Sequence, residues 1–526
     1  MTLRHGWLLL GGIVWLTWCA GPRIFAEPPA DNGVARTPPM GWHPWNQFGE
    51  QQDEKLIREI ADAMVARGMK DAGYQFVGPD CGWANYSVDA QGILHPRPDR
   101  FPAGPKAVAD YVHRLGFKEV AYSDVVPKAC CGIGLAPEAY EKNALQWAQW
   151  GADYLKLDYC GADTSRSAAI SSYTHMREAL KATGRPILYS ICEWGHAQNR
   201  EPWEWADTIG NMWRTTTDIN PGNGLASWAD RILECNGVLN SAEQNNLHWR
   251  AAGPGRWNDP DMLCVGLKNL SAPENRSHFS LWCMMAAPLI AGNDVRTMSD
   301  TVGAILTNIE VIAVDQDPLG VQGHVVRGDV KARDSVSIWA GKPLFDGSRA
   351  ALILNSRSAN TSVRLLWTDV GLDTAGEYYV RDLWNHTTAG PLRRGLTVDV
   401  PPHDTRMFRI SGTDRFPVPP ILVASTYDAA FHTVAGRHTL VDTLRVTNKG
   451  SSDLPLWKLK GELPPWLRVS VIRLNASAQA FVTQVSTAGL AAGSYHALVT
   501  AGNTEPVSGL PMSTFWYDVH LDVSPE

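Results

Sequence analysis

The chain has 526 residues, more than one ordinary domain holds, and this length predicts about two to four domains. Hydrophobic residues make up 44% and charged residues 19%, which excludes a disordered chain and promises ample core. The net charge is −7 and the basic residues are scattered without a run, which excludes a nucleic-acid binder.

The N-terminus carries Arg4, then an apolar run from Gly6 to about Ala20, then Ile24-Phe25-Ala26 with a small residue. The run is too short to span a bilayer and reads as a signal peptide over 1–26. A secreted or periplasmic protein is expected, in a compartment that permits disulfides. Of nine cysteines, eight remain once Cys19 is removed with the leader. There is no CxxC pair and no HExxH, so neither a metal nor any other cofactor is expected.

Residues 27–36 are Pro-rich and polar, a tether. Thr37-Pro-Pro-Met-Gly-Trp-His-Pro-Trp-Asn46 then demands a fixed, irregular backbone. Helical spacing follows at Leu56, Ile57, Ile60, Met64 and Val65. Gln75 to Asp80 predicts a strand ending in a carboxylate. Lys106 to Leu115 predicts a helix, and Glu119 to Asp124 a second such strand. A helix over Tyr140 to Trp150 leads into Tyr154 to Asp158. Ser171 to Thr183 predicts a helix and Pro186 to Glu193 a strand. Asn211 to Asp218 and Arg256 to Asp261 add two more acidic strand ends, and the apolar stretch Phe279 to Ile290 closes the series.

Alternation of strand and helix in units of roughly thirty to forty residues predicts a parallel sheet. About eight units fit a (β/α)8 barrel over 37–324, with its active site at the C-terminal strand ends. A doubly wound sheet would gather polar residues at one switch point instead, whereas here they end nearly every strand. A mouth lined with carboxylates suits sugar hydroxyls, because carboxylates accept from O–H donors.

Tyr154-Leu-Lys-Leu-Asp158 organises the rest. Alternation along a strand puts Tyr154, Lys156 and Asp158 on one face. The nearby Lys156 ammonium is expected to lower the Asp158 pKa and leave an ionised carboxylate, as a nucleophile requires. Taken alone, the pair also fits a buried structural ion pair.

From about Val325 short alternating stretches replace the helices: 336–339, 351–354, 362–366, 378–381, 397–400 and 406–410. They predict an antiparallel β-sandwich over 325–414. After Phe416-Pro-Val-Pro-Pro420, residues 421–526 predict a second, immunoglobulin-like β domain. No trustworthy paired aromatic platform appears there, so a spacer or packing module is expected.

At this point the motifs are recognisable. The opening Thr37–Asn46 resembles TPPMGWNSWN of the glycoside hydrolase family 27 (clan D) α-galactosidases. Ala121-Tyr-Ser-Asp124 resembles IYSD, Tyr154–Cys160 resembles YLKYDNC, and Cys192-Glu-Trp-Gly195 matches CEWG. Trp213–Ile219 resembles WRTTGDI, and Trp257–Leu263 matches WNDPDML. The resemblance runs from about Thr37 to Ile410 and leaves the last hundred residues outside.

The resemblance implies a retaining glycosidase with Asp158 as nucleophile and Asp218 as acid/base, in a double displacement on terminal α-D-galactosyl residues. It implies a sugar pocket lined by Trp42, Asp80, Tyr122, Lys156, Glu193, Trp194, Arg214 and Asp261, with Glu193 facing the sugar's 2-position. It also implies that Cys130, or its neighbour Cys131, pairs with Cys160, while Cys192 is a free pocket residue. Cys235, Cys264 and Cys283 are expected to be buried rather than bonded. Two departures bear on the sugar. His43-Pro44 replaces Asn-Ser, and Cys81 stands where the family has a second Asp after Asp80. As a thiol, Cys81 would be a weak partner for the outer hydroxyls of galactose. Two alternatives follow: a relative acting on β-L-arabinopyranosides, which lack the 6-CH2OH, or a sugar-binding protein without catalysis.

Overall fold

The computed structural model describes residues 32–525 apart from 129, 196–199, 232, 331–333, 437, 452–453, 455 and 504–513. The predicted signal peptide and the first half of the tether lie outside the described residues. Among the described residues no helix is long and apolar enough to cross a membrane.

Eight parallel strands form the first sheet: β1 (Met40–Trp42), β2 (Phe76–Val77), β3 (Lys118–Asp124), β4 (Ala152–Asp158), β5 (Leu188–Cys192), β6 (Met212–Arg214), β7 (Trp257–Asp259) and β8 (Leu289–Ala291). The order is β8-β1-β2-β3-β4-β5-β6-β7. A parallel bridge from Leu263, just past β7, to Ala291 of β8 closes the ring. This is the expected (β/α)8 barrel.

The helices follow their apolar spacing. α1 (Glu54–Ala66) starts at Asp53, whose side chain accepts from the Leu56 amide, and buries Leu56, Ile57, Ile60, Ala61 and Met64. Val65 fits the pattern on paper but faces solvent. α2 (Gly104–Arg114), α3 (Tyr140–Trp150) and α4 (Arg166–Ala182) fall close to their expected positions. The apolar stretch 279–290 divides into the end of a helix (Ala272–Met284) and β8, because both bury all their sides.

The next strands form a six-stranded sheet and a two-stranded one. Two of them, His324–Gly328 and Thr387–Arg393, were not foreseen: they are mostly exposed edge strands without an apolar alternation. The larger sheet uses both faces. Trp339, Leu352, Leu354 and Met407 join the barrel core, while Ile338, Ala340, Ile353 and Phe408 face the smaller sheet.

Residues from Leu422 onward make two four-stranded sheets packed on Trp457, Phe481, Phe515 and Tyr517. This unit seals the barrel's N-terminal end. Trp516 joins Phe76, Val120, Tyr154, Leu188, Met212 and Trp257 in the cluster that plugs the barrel base. A buried charge network crosses the same seam. Arg185 grips Asp518 with two bonds of 2.9 and 3.0 Å and Asp153 with one of 2.6 Å. His113 and the Trp516 indole complete Asp153 at 2.7 and 2.8 Å.

Candidate active site

The C-terminal strand ends carry the polar residues, and the register sets them in rows. Tyr122, Lys156 and Ser190 are partners across β3, β4 and β5; two residues on, Asp124, Asp158 and Cys192 form the next row. Alternation therefore delivers the inward residues of adjacent strands at matched heights.

Lys156 does not pair with Asp158. Its ammonium lies 2.9 and 3.2 Å from the two oxygens of Asp80 on β2's end. Burial opposes ionisation of Asp80, but Lys156 and then His43 outweigh it and hold the carboxyl well below its usual range. Gln52 fixes this corner, donating to the Asp80 carbonyl at 2.9 Å and accepting from its amide at 3.0 Å.

Asp158 is 6% exposed. Its Oδ2 accepts from the Tyr122 hydroxyl, and Cys192 is its register partner on β5. Its Oδ1 is buried with no hydrogen-bond partner among the described residues. Burial pushes the Asp158 pKa up, and Lys156, whose own closest acid is Asp80, only reduces the rise. The expected lowering is thus corrected: desolvation outweighs an ammonium already committed elsewhere. Asp124, the register neighbour, is pushed up to about 8 by burial and by the Asp158 charge.

Arg214, at the end of β6, links the second acid to the first. Its guanidinium lies 3.1 Å from Asp218 and 3.0 Å from Asp261, and it donates to Cys192 Sγ at 3.5 Å. Arg214 thus touches both Asp218 and Cys192, the register neighbour of Asp158. The Trp194 indole N–H donates to the same Asp218 oxygen at 3.1 Å. The Asp218 side chain is 38% exposed, so the pair combines one buried and one accessible acid. Trp194 and Asp261 both have positive φ, 61° and 86°, a strain concentrated where the site is built. Gly195 lets the loop after β5 cross the end of β6, since a Cβ there would sit 2.6 Å from the Thr215 backbone.

Asp80, Tyr122, Lys156, Trp194, Arg214 and Asp261 therefore gather with the two acids. Two further expected pocket residues, Trp42 and Glu193, are as deeply buried as Asp80. Trp42 has no exposed area and gives its indole N–H to the Asn293 carbonyl at 2.8 Å, because it packs under the rim. Glu193 is also fully buried, with Oε2 on Arg200 at 2.8 Å and Oε1 on the Gly195 amide at 2.9 Å. Burial raises its pKa to about 7 against the pull of Arg200.

Cys81 is corrected outright: it is not a thiol toward substrate but half of a disulfide with Cys131. Cys130 pairs with Cys160, as expected for one of the two open choices. Cys192, Cys235, Cys264 and Cys283 are free and buried. The sequence reading also missed Gln52, Asp124 and Arg200 as site residues. Asp124 carried a usable signal, since it ends a strand in the same way as Asp158.

Residues 37–317 match the family described as Alpha galactosidase A, and residues 333–410 match the Alpha galactosidase C-terminal beta sandwich domain. The chain belongs to the α-galactosidases of glycoside hydrolase family 27. An α-galactosidase of Oryza sativa subsp. japonica is 42% identical over 380 residues, which cover 72% of this chain and 85% of that protein. Alpha-galactosidase A of Cellvibrio japonicus is 41% identical, over 72% of this chain and 93% of its own. The crystal structure of α-galactosidase I from Mortierella vinacea superposes with a TM-score of 0.67 at 33% identity, covering 73% of this chain and all of that one. The matched family models end at residue 410, ahead of the last two sheets.

Proposed function

We propose that the chain is a retaining exo-glycosidase that hydrolyses terminal α-D-galactosyl residues, with Asp158 as nucleophile and Asp218 as acid/base. The observation that carries the residue roles is the state of Asp158. One oxygen is fixed by Tyr122, while the other is buried with its lone pairs unclaimed by any described residue. A buried acceptor of this kind calls for an explanation, and an electrophilic anomeric carbon supplies one.

In the first step Asp158 Oδ1 bonds to the anomeric carbon as the glycosidic C–O bond breaks, and Asp218 gives its proton to the departing oxygen. In the second, Asp218 takes a proton from water, whose oxygen displaces Asp158 and restores both groups. Arg214 orients Asp218 and neutralises its anionic form between the steps. Asp80, Tyr122, Lys156, Trp194, Arg214 and Asp261 are assigned to grip the sugar. Two disulfides support maturation outside a reducing cytosol, and we infer a secreted or periplasmic protein.

One observation favours a second reading. With Cys81 tied to Cys131, no side-chain acceptor remains at that position for the outer hydroxyls. This supports action on β-L-arabinopyranosides, which lack the exocyclic carbon. Comparison of kcat/KM on the p-nitrophenyl glycosides of both sugars decides. A higher value for α-D-galactoside is expected, and preference for the arabinoside would replace the first reading. The first-formed sugar observed by NMR should keep the substrate's anomeric configuration. An inverted product would remove Asp158 from the nucleophile's role.

A further inference from the structure

The last domain gathers histidines and carboxylates by sheet register, far from the catalytic mouth. Strand Thr514–Ser524 runs between Asp428–Val434 and Gly493–Gly502. Asp518 and His520 are two residues apart on it and share a face. His496 is the register partner of His520, and Asp428 is the partner of Asp518. The ligating atoms of His496, Asp518 and His520 all lie within 4.8 Å of one another.

A second, independent observation points to a ligand. Asp428 is 8% exposed, and its Oδ1 is buried without a hydrogen-bond partner among the described residues. That oxygen lies 3.7 Å from His520 Nε2, too far to bond and aimed at the same cluster. Two imidazole nitrogens and an Asp518 oxygen thus converge, with the unpartnered Asp428 oxygen beside His520, a donor set that suits a borderline divalent cation.

We propose that His496, His520, Asp518 and Asp428 form a binding site for one divalent cation of the zinc type. Arg185 holds Asp518 from behind with two bonds, fixing the carboxylate as an outer partner does in known metal sites. From the barrel, α2 brings Lys106, Asp110 and His113 to the same side. Lys106 is neutralised by Asp110 at 2.7 Å, and His113 is turned to Asp153. The ion would replace the His496–Asp518 hydrogen bond of 2.9 Å. It would tie three strand positions of the last domain together directly behind the Arg185 seam. No motif announces this site, because its ligands come from three strands and not from one spaced run.

The test uses the untagged full-length chain, stripped with chelator and titrated with ZnCl2 by calorimetry. One equivalent is expected at micromolar concentration, with a raised thermal midpoint. His520→Gln should weaken binding by at least about tenfold and cancel the thermal shift, while galactosidase activity is unchanged. If His520→Gln does not fold, His496→Ala, at a half-exposed position, should weaken binding in the same way. The absorption of the Co2+-loaded chain gives a separate readout of nitrogen and oxygen ligation. No bound equivalent, or the same affinity in the variants as in the parent, would overturn the proposal.

Discussion

Two networks of buried charge stand at opposite ends of one barrel, and they are built in opposite ways. At the basal seam Arg185, Asp153, His113, Trp516 and Asp518 satisfy one another. Asp153 and Asp518 sit well below the usual carboxylate range because Arg185, aided by histidine, outweighs their burial. At the mouth Asp158 Oδ1, Arg214 Nε and His43 Nε2 are buried without partners among the described residues, and Asp158, Asp124, Glu193 and Asp261 are all pushed up by burial. A closed network holds two domains together; an open one waits for a substrate. Burial alone does not distinguish them, but the count of satisfied lone pairs does.

Breaking the open network should remove activity without removing the fold. Asp158→Asn is expected to abolish turnover of p-nitrophenyl α-D-galactopyranoside with a thermal midpoint equal to or above the parent's, since an amide relieves a buried charge. Asp218→Ala should lower kcat by about 10²–10⁴-fold on poor leaving groups, again with little change in midpoint. Either variant melting markedly earlier would show that the mouth is structural after all.

Breaking the closed network should do the reverse. Arg185→Met leaves Asp153 and Asp518 buried and uncompensated, and about 3–5 kcal/mol of stability should be lost in denaturant titrations, with kcat/KM of the folded fraction retained. Removing the Cys81–Cys131 bond by a paired Cys→Ala change should cost a smaller amount, about 2–4 kcal/mol.

The gentlest probe is pH. For Asp153 and Asp518 the folded value is depressed, so their stabilisation is present above the unfolded value of about 3.9 and is lost as pH falls below it. For Asp124, raised to about 8, the folded chain holds a proton that the unfolded chain has released between about pH 4 and 8. Stability therefore declines with rising pH across that window. Asp124→Asn should flatten the decline in melting curves, and Arg185→Met should flatten the acid side.

The barrel was legible because nearly every strand leads into a polar residue and each helix repeats its apolar positions, both local signals. The proposed catalytic pair was legible through motifs. What escaped depends on pairings distant in sequence. Lys156 stands two residues from Asp158 yet bonds Asp80 across the ring, which strand alternation alone does not reveal. Cys81 and Cys131 are 50 residues apart, so Cys81 read as a lone thiol. Arg185 and Asp518 are separated by 333 residues and lie in different domains. The register that aligns His496 with His520 exists only once the sheet is paired.

Adjacent Cys130 and Cys131 bond to partners on different loops, one after β4 and one after β2. The loops after β2, β3 and β4 are thereby yoked at a single dipeptide, so none of these three can swing aside alone to admit a bulky branch. The same adjacency leaves a near-miss isomer in which the two neighbours trade partners. Preparations made without a disulfide isomerase should accordingly contain soluble, inert molecules that mass mapping of the cystine peptides would distinguish from active ones.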